Sequence, residues 1–410
     1  MAGALVMALF VPPVPGRRGM VLLDAAILLT LAAIAIQLIP LSPDVRDALT
    51  PAAAAFERRT IVGAATIARA RPISLEPSAT AVALALDAAL AMLFWSTQRA
   101  LRHGGQRWLA RAIATAGLVV APLAVANHLA LLPLLDGVWA PARRDLRAWG
   151  PFVSRNDFAA WSALATLLTL GYLVAHLEAH HRPDEALDPD RALDHTGTRL
   201  AAALCVMSGG IMLSLSRSGL VGVVAGLMAF FFAGRRQLTP RRRYALAGLL
   251  AALLVAGALV ANVGVLSSRF GNAMNEGLGG RASVWSQTWP LVQDFRLAGT
   301  GVGAYARVMT LYQTSTRLIT IAHADNEPLQ LAAEGGLLVG LPVVVMLAAF
   351  VRVVARRLRE DRTRMFWVRA GAASGLVAIA VQNLVEMTLR VPAIGLLAVV
   401  LAAIAVHERA

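Results

Sequence analysis

The chain has 410 residues, 58% of them hydrophobic and 15% charged, with a mean hydropathy of +0.64 and a formal net charge of +14. No water-soluble domain of this length needs to bury so much apolar surface, so a polytopic membrane protein remains and no nucleic-acid partner is expected. The apolar runs are continuous instead of alternating, which excludes a β-barrel and indicates helices, because open sheet edges find no hydrogen-bond partners in lipid.

In chain order the predicted spans are 20–40, 79–97, 108–127, 156–178, 199–216, 218–234, 245–264, 328–350, 369–387 and 391–407. Residues 2–13 form a further apolar segment ended by Pro12, Pro13 and Pro15, short for a full crossing. The expectation is therefore an all-α membrane protein of ten to twelve spans with one large outer loop. Its parts would be N-terminal transmembrane helices (1–264), an outer loop (265–327) and C-terminal transmembrane helices (328–410). Cys205 stands alone in an apolar run, which excludes an internal disulfide and suggests a small packing residue.

Every basic side chain is arginine, since the sequence contains no lysine. Any phosphate contact thus falls to a guanidinium fork that can grip two oxygens. The short loops 98–107, 235–243 and 352–364 are dense in arginine, which places them in the cytoplasm, with 179–198 and the C-terminus on the same side by alternation. The opposite side receives 41–78, 128–155, the turn at 217, the segment 265–327 and the turn near Arg390. Outer loops normally avoid arginine, yet these hold Arg143, Arg144, Arg147, Arg155, Arg217, Arg281 and Arg390. Long loops escape the charge rule; two short turns do not, so an anion is expected on that face.

Several motifs carry the polar weight. Ser214-Leu-Ser-Arg-Ser-Gly-Leu220 joins two spans with almost no loop and holds Arg217 at the membrane boundary. The island 265–327 is too polar for a bilayer and contains Arg269, Arg281, Arg296, Arg307, Arg317 and His323. Within it, Gly279-Gly-Arg-Ala-Ser-Val-Trp-Ser-Gln-Thr-Trp-Pro290 predicts a helix with Arg281 at its start, where exposed N–H groups favour anions, and with Trp285 and Trp289 suited to an interfacial belt. Gly299-Thr-Gly-Val-Gly303 lacks the following Lys-Ser/Thr of a phosphate loop and reads as a turn. Asp325 or Asn326 is placed to cap a helix beginning near Glu327-Pro328. His323 is not needed for that cap, and histidine is the commonest side chain for taking a proton from a hydroxyl.

Other polar residues are weaker candidates. Asp188-Pro-Asp190 beside His180 and His181 reads as a solvated turn before it reads as a metal site. Asp24 and Asp87 lie within spans, where carboxylates mark pathways or pair with arginines. Gln382, Asn383 and Glu386 either shape an outer cavity or bond between helices.

Taken in order, five segments resemble the O-antigen ligase family and, more broadly, the related polysaccharide polymerases. They are Arg71-Pro-Ile-Ser-Leu-Glu-Pro77, Phe152-Val-Ser-Arg-Asn-Asp-Phe158, Ser216-Arg-Ser-Gly219, Arg281 to Trp285 with Leu297-Ala-Gly-Thr-Gly-Val-Gly303, and 323–340 with its His, Asn, Leu-Gln and Glu-x-Gly. The resemblance covers roughly residues 70–340. It departs at one point: the family's histidine directly precedes the asparagine, a place taken here by Asp325, with His323 two residues upstream. The base is then His323 or Asp325, and a carboxylate is the weaker general base at neutral pH.

The resemblance implies a GT-C-like glycosyltransferase of the bacterial inner membrane whose site faces the periplasm. The donor would be a glycan on undecaprenyl pyrophosphate and the acceptor a lipid A core sugar hydroxyl, both met among membrane lipids. Arg217 and Arg281, with Arg155, Arg390 and Asn326 as further binding residues, would hold the pyrophosphate, and His323 or Asp325 would take the proton. No cofactor or metal is implied. A polymerase, a protein-directed oligosaccharyltransferase and, outside enzymes, a lipid-oligosaccharide flippase are the alternatives; the last expects internal repeats, which the chain does not display.

Overall fold

A computed structural model describes residues 20–60, 70–102, 104–131, 148–180, 194–237, 278–314 and 321–408. Its helices, in chain order, are α1 Val21–Ile36, α2 Pro43–Leu49, α3 Pro51–Thr60, α4 Pro77–Leu101, α5 Gln106–His128, α6 Arg155–His180 and α7 His195–Leu213. There follow α8 Arg217–Gly234, α9 Leu278–Asp294, α10 Tyr305–Tyr312, α11 Glu327–Glu360, α12 Met365–Gln382 and α13 Pro392–Val406, with a 3₁₀ turn at Thr388–Arg390. Among the described residues, seven helices (α4 to α8, α11 and α12) are long and apolar enough to cross a membrane, and α1 and α13 are shorter apolar helices. The protein is thus all-α and polytopic. Large apolar side chains such as Leu28, Val82, Val119, Val221, Val344 and Leu347 stay exposed along these helices, as suits surfaces solvated by lipid. Spans 2–13 and 245–264 lie outside the described residues.

The chain divides into two compact units, one of residues 1–92 and 270–353 and the other of 93–269 and 354–410. In the first unit the polar side chain of Gln37 decides where α1 stops. Its amide is fully buried and donates from Nε2 to the carbonyls of Ala298 (2.8 Å) and Glu334 (3.0 Å), while Oε1 accepts the N–H of Val302 (3.0 Å). The apolar run to residue 40 therefore ends as a helix at Ile36, and the remainder turns away.

Helix α11 is broken inside its apolar run. Gly336 has φ 54° and ψ −152°, a conformation that residues with a Cβ avoid, and a Cβ there would sit 2.6 Å from the Gly299 nitrogen. The N–H groups freed by the break do not go unpaired: Leu337 donates to Arg296 O and Leu338 to Leu297 O, each at 2.9 Å. The end of α9 thus locks onto the break, and Val284, Leu291, Phe295, Tyr305, Val308, Met309, Ile321 and Ala324 form the core beside it.

The second unit is built around α6, whose residues Phe158, Ala159, Ala160 and Ser162 to Leu168 are nearly all buried, with α12 and α7 as its main neighbours. Small residues let the backbones approach. A Cβ on Gly222 would lie 2.7 Å from the Ala378 carbonyl and one on Gly226 2.8 Å from that of Ser374, so a glycine pair four residues apart on α8 docks on a small-residue pair on α12. Cys205, expected to pack, is instead exposed on α7; it faces out of the unit, where lipid accommodates a small apolar side chain.

This unit has two distinct ends. At one, Gln98 Nε2 donates to Ala403 O (2.6 Å), Phe230 and Trp367 lie 5.6 Å apart, Arg357 pairs with Glu408 (2.6 Å), and Arg369 pairs with Asp361 and donates to His407 O (2.8 Å). The arginine-dense stretches around 99 and 357 are therefore together. At the other end the starts of α6 and α8 meet the end of α12, where Arg155, Arg217 and Arg390 are found.

Candidate active site

In the first unit the site is organised by α9. Arg281 is half-buried in its first turn, where the N–H groups and helix dipole favour negative charge. One turn on, on the same face, Trp285 donates its indole N–H to the carbonyl of Ala324 (2.8 Å) and so docks the 321–326 segment against α9. Trp289 is exposed.

His323 is exposed and makes no hydrogen bond or ion pair with the described residues, so its imidazole is available to a substrate. Asp325 adopts φ 48°, a left-handed conformation that Asp tolerates better than most residues and that concentrates at functional sites. Its carboxylate is half-buried towards Tyr305. Burial pushes the Tyr305 phenol up to about 12, the Thr288 hydrogen bond (2.6 Å) opposes this, and the charges of Asp325 and Glu334 add to it. Tyr305 therefore keeps its proton at neutral pH. Of the two residues suited to cap α11, Asn326 does so, its Oδ1 accepting the Leu329 N–H at 2.9 Å. That oxygen is committed to the fold, which leaves its amide N–H groups for any substrate contact.

The Gly299–Gly303 segment is a turn, and its backbone shows why it cannot cradle a phosphate. Gly299, Gly301 and Gly303 all have positive φ, and the N–H groups of 299, 300, 301 and 302 are bonded to Phe295 O, Ala333 O, Glu334 O and Gln37 Oε1. Arg307 is likewise engaged, with Glu76, whose carboxyl that guanidinium holds below its ordinary value. Arg296 is exposed, and Arg269 and Arg317 lie outside the described residues.

In the second unit Arg217 is the first residue of α8 and is exposed, without a hydrogen bond or ion pair among the described residues. The turn that carries it is tightly held. Ser214 is buried and donates to Ile211 O (2.6 Å), Leu215 has φ 50°, and Ser216 caps α8 by accepting from Gly219 N (3.2 Å) while donating to Asn156 Oδ1 (2.8 Å). Asn156 in turn donates to Glu386 Oε1 (2.7 Å), which also accepts from Ser218 (3.2 Å). Gln382 donates to the Asn156 carbonyl (3.0 Å), and Asn383 bonds Ile379 O and Thr388 Oγ1. Gln382, Asn383 and Glu386 thus bond between and within elements, the second of the two readings open from sequence.

Arg155, exposed and without such partners among the described residues, begins α6 beside Asn156, and exposed Arg390 ends the 3₁₀ turn four residues after Glu386. So Arg281, His323, Asp325 and Asn326 belong to one unit, and Arg155, Arg217 and Arg390 to one end of the other. Among the described residues no group of three or more His, Cys, Asp or Glu is placed to hold a metal ion; Asp188, Asp190 and His181 are outside them. Sequence reasoning gave no role to Asn156, Ser216, Gln330 or Glu334. Their signal was present, since all four are polar residues inside the quoted motifs.

Residues 202–344 match a family model described as O-antigen ligase. The stretch includes Arg217, Arg281, His323, Asp325 and Asn326, and ends before Arg390. No curated protein matches the chain. The matched stretch is about a third of the chain, and it is this stretch that is similar to the O-antigen ligase family.

Proposed function

We propose that the protein is an O-antigen ligase that moves a polysaccharide from undecaprenyl pyrophosphate to a sugar hydroxyl of lipid A core, at the periplasmic face of the bacterial inner membrane. The observation that supports this most is the docking of the His323–Asp325 segment, through Ala324, one turn along the helix face that begins with Arg281. In this reading the proton acceptor lies against the helix that carries the anion-binding group.

In this reading the acceptor oxygen attacks the anomeric carbon from the face opposite the pyrophosphate, and the carbon–oxygen bond to the phosphate breaks as the new glycosidic bond forms. Configuration inverts. The hydroxyl proton passes to His323, the exposed member of the pair, with Asp325 as the alternative base. Undecaprenyl pyrophosphate departs with the bonding electrons, and its growing charge is met by Arg281 and Arg217, with Arg155, Arg390 and the Asn326 amide as further contacts. Guanidinium groups supply the cationic role, so the reaction proceeds without a metal.

The test is transfer by the purified protein from an undecaprenyl-pyrophosphate-linked glycan, with and without lipid A core. Arg217→Ala, Arg281→Ala and His323→Ala are each expected to lose transfer while folding normally. Unimpaired transfer in all three overturns the site, and chain lengthening without transfer to the core makes the protein a polymerase.

A further inference from the structure

The segment that carries His323 and Asp325 is fixed at the residue between them. Ala324 is fully buried, and both of its backbone groups are used by side chains: its N–H donates to Gln330 Oε1 (2.9 Å) and its carbonyl accepts from Trp285 Nε1 (2.8 Å). Gln330 is 1% exposed, and its Nε2 donates one helical turn onward to Glu334 Oε1 (3.1 Å). Glu334, also 1% exposed, accepts the Tyr305 N–H on the same oxygen (3.3 Å), while its own carbonyl receives Gln37 Nε2 and the Gly301 N–H, each at 3.0 Å. It stands two residues before the break at Gly336.

A buried glutamine and glutamate are costly in a core unless their bonds are specific, and apolar residues would pack there as well. The bonds here converge on one backbone unit, flanked by the two residues proposed to take the proton. We infer that Trp285, Gln330 and Glu334 are positioning residues that clamp Ala324 and thereby set where His323 and Asp325 meet the acceptor hydroxyl. This rests on the proposed transfer reaction. A general base must lie within hydrogen-bond reach of its proton, and a misplacement of about 1 Å costs on the order of a hundredfold in rate.

The experiment uses the full chain in detergent and two readouts. Gln330→Met keeps the volume but removes the acceptor for Ala324 N–H, Trp285→Phe keeps an aromatic ring but removes the indole donor, and Glu334→Gln keeps the accepting oxygen. Turnover with the undecaprenyl-linked donor is expected to fall roughly ten- to a hundredfold in the first two, with donor KM within about twofold, and to stay within about threefold in Glu334→Gln. Because both losses act on one residue, the Trp285→Phe/Gln330→Met pair should lose less than the product of the single effects. Hydrogen–deuterium exchange should quicken across 321–326 in both single variants, with α12 unchanged. Unchanged exchange at 321–326, exchange rising everywhere, or turnover preserved in Gln330→Met each overturn the clamp. If the unaltered protein transfers no glycan, the proposed function fails, and the exchange measurement still decides the clamp.

Discussion

The two ends of the second unit use the same side chain in opposite ways. At the end gathering residues 357–369 and 403–408, Arg357 and Arg369 are buried and each meets a carboxylate, Glu408 and Asp361. At the other, Arg155 and Arg217 are exposed and pair with nothing among the described residues, while the polar groups beneath them, Asn156, Ser216, Ser218 and Glu386, satisfy one another. An arginine that closes a buried pair fastens the fold, and one left outside a completed network is available to an anion that is not part of the chain. The second end is the face on which the charge pattern makes arginine unexpected, so position and pairing agree.

The sharpest way to break the comparison is Arg369→Leu. Removing the guanidinium leaves Asp361, 9% exposed at its side chain, as a buried charge without its partner, and a loss of about 3–5 kcal/mol is expected in an SDS-titrated unfolding measurement. The double variant Arg369→Leu/Asp361→Leu should recover much of that, because the pair can be replaced by apolar packing. Arg217→Ala should do the reverse. Its unfolding should stay within about 0.5 kcal/mol of the unaltered protein, while glycan transfer drops by about two to three orders of magnitude, the scale of losing one charge-stabilising donor. A stability loss in Arg217→Ala with transfer intact would erase the distinction between the ends.

A smaller effect separates the turn from the charge it carries. Ser216→Ala removes the cap of α8 and the bond to Asn156, and should cost about 0.5–2 kcal/mol. If the network holds Arg217 in place, transfer should fall further than this stability loss accounts for. Equal loss of both would make the serine a plain cap.

How much of this the sequence disclosed depends on the range of the interaction. Continuous apolar runs predicted α4 to α8, α12 and α13 to within about five residues, because lipid imposes length and composition locally; α11 begins where predicted but runs past the expected end at 350 to Glu360, through arginines read as loop. The end of α1 at Ile36 was not legible, since it is set by Gln37 bonding to Ala298 and Glu334, far along the chain. The break at Gly336 was hidden for the same reason: only the carbonyls of Arg296 and Leu297 make it affordable in hydrogen bonds. Helices α2 and α3 were missed inside a stretch read as loop, being short and polar with a proline at each start. Of the residues proposed to act, Arg217, Arg281 and His323 stood out by residue type and by the charge pattern of the loops. The partnership of Asn156 with Ser216 and Glu386 joins residues 60 and 230 positions apart, and no local spacing encodes it.

The first unit offers a milder version of the paired end, and with it a dependence on pH. Arg46 grips both oxygens of Glu57 (2.9 and 2.7 Å), and Arg71 adds a third contact at 2.9 Å. Burial alone pushes the Glu57 carboxyl up, but the two guanidiniums more than reverse it and hold the group below its ordinary value. A carboxyl lowered in the folded state contributes stability above its unfolded pKa, about 4.3 for glutamate, and loses that contribution as pH falls through the folded value. Unfolding midpoints should therefore fall as the pH is taken below about 4.3, and the fall should be shallower in Glu57→Gln, which cannot ionise. An identical slope in both proteins would mean that these arginines do not fasten the fold through Glu57, and that pairing alone does not distinguish structural arginines from those that await a ligand.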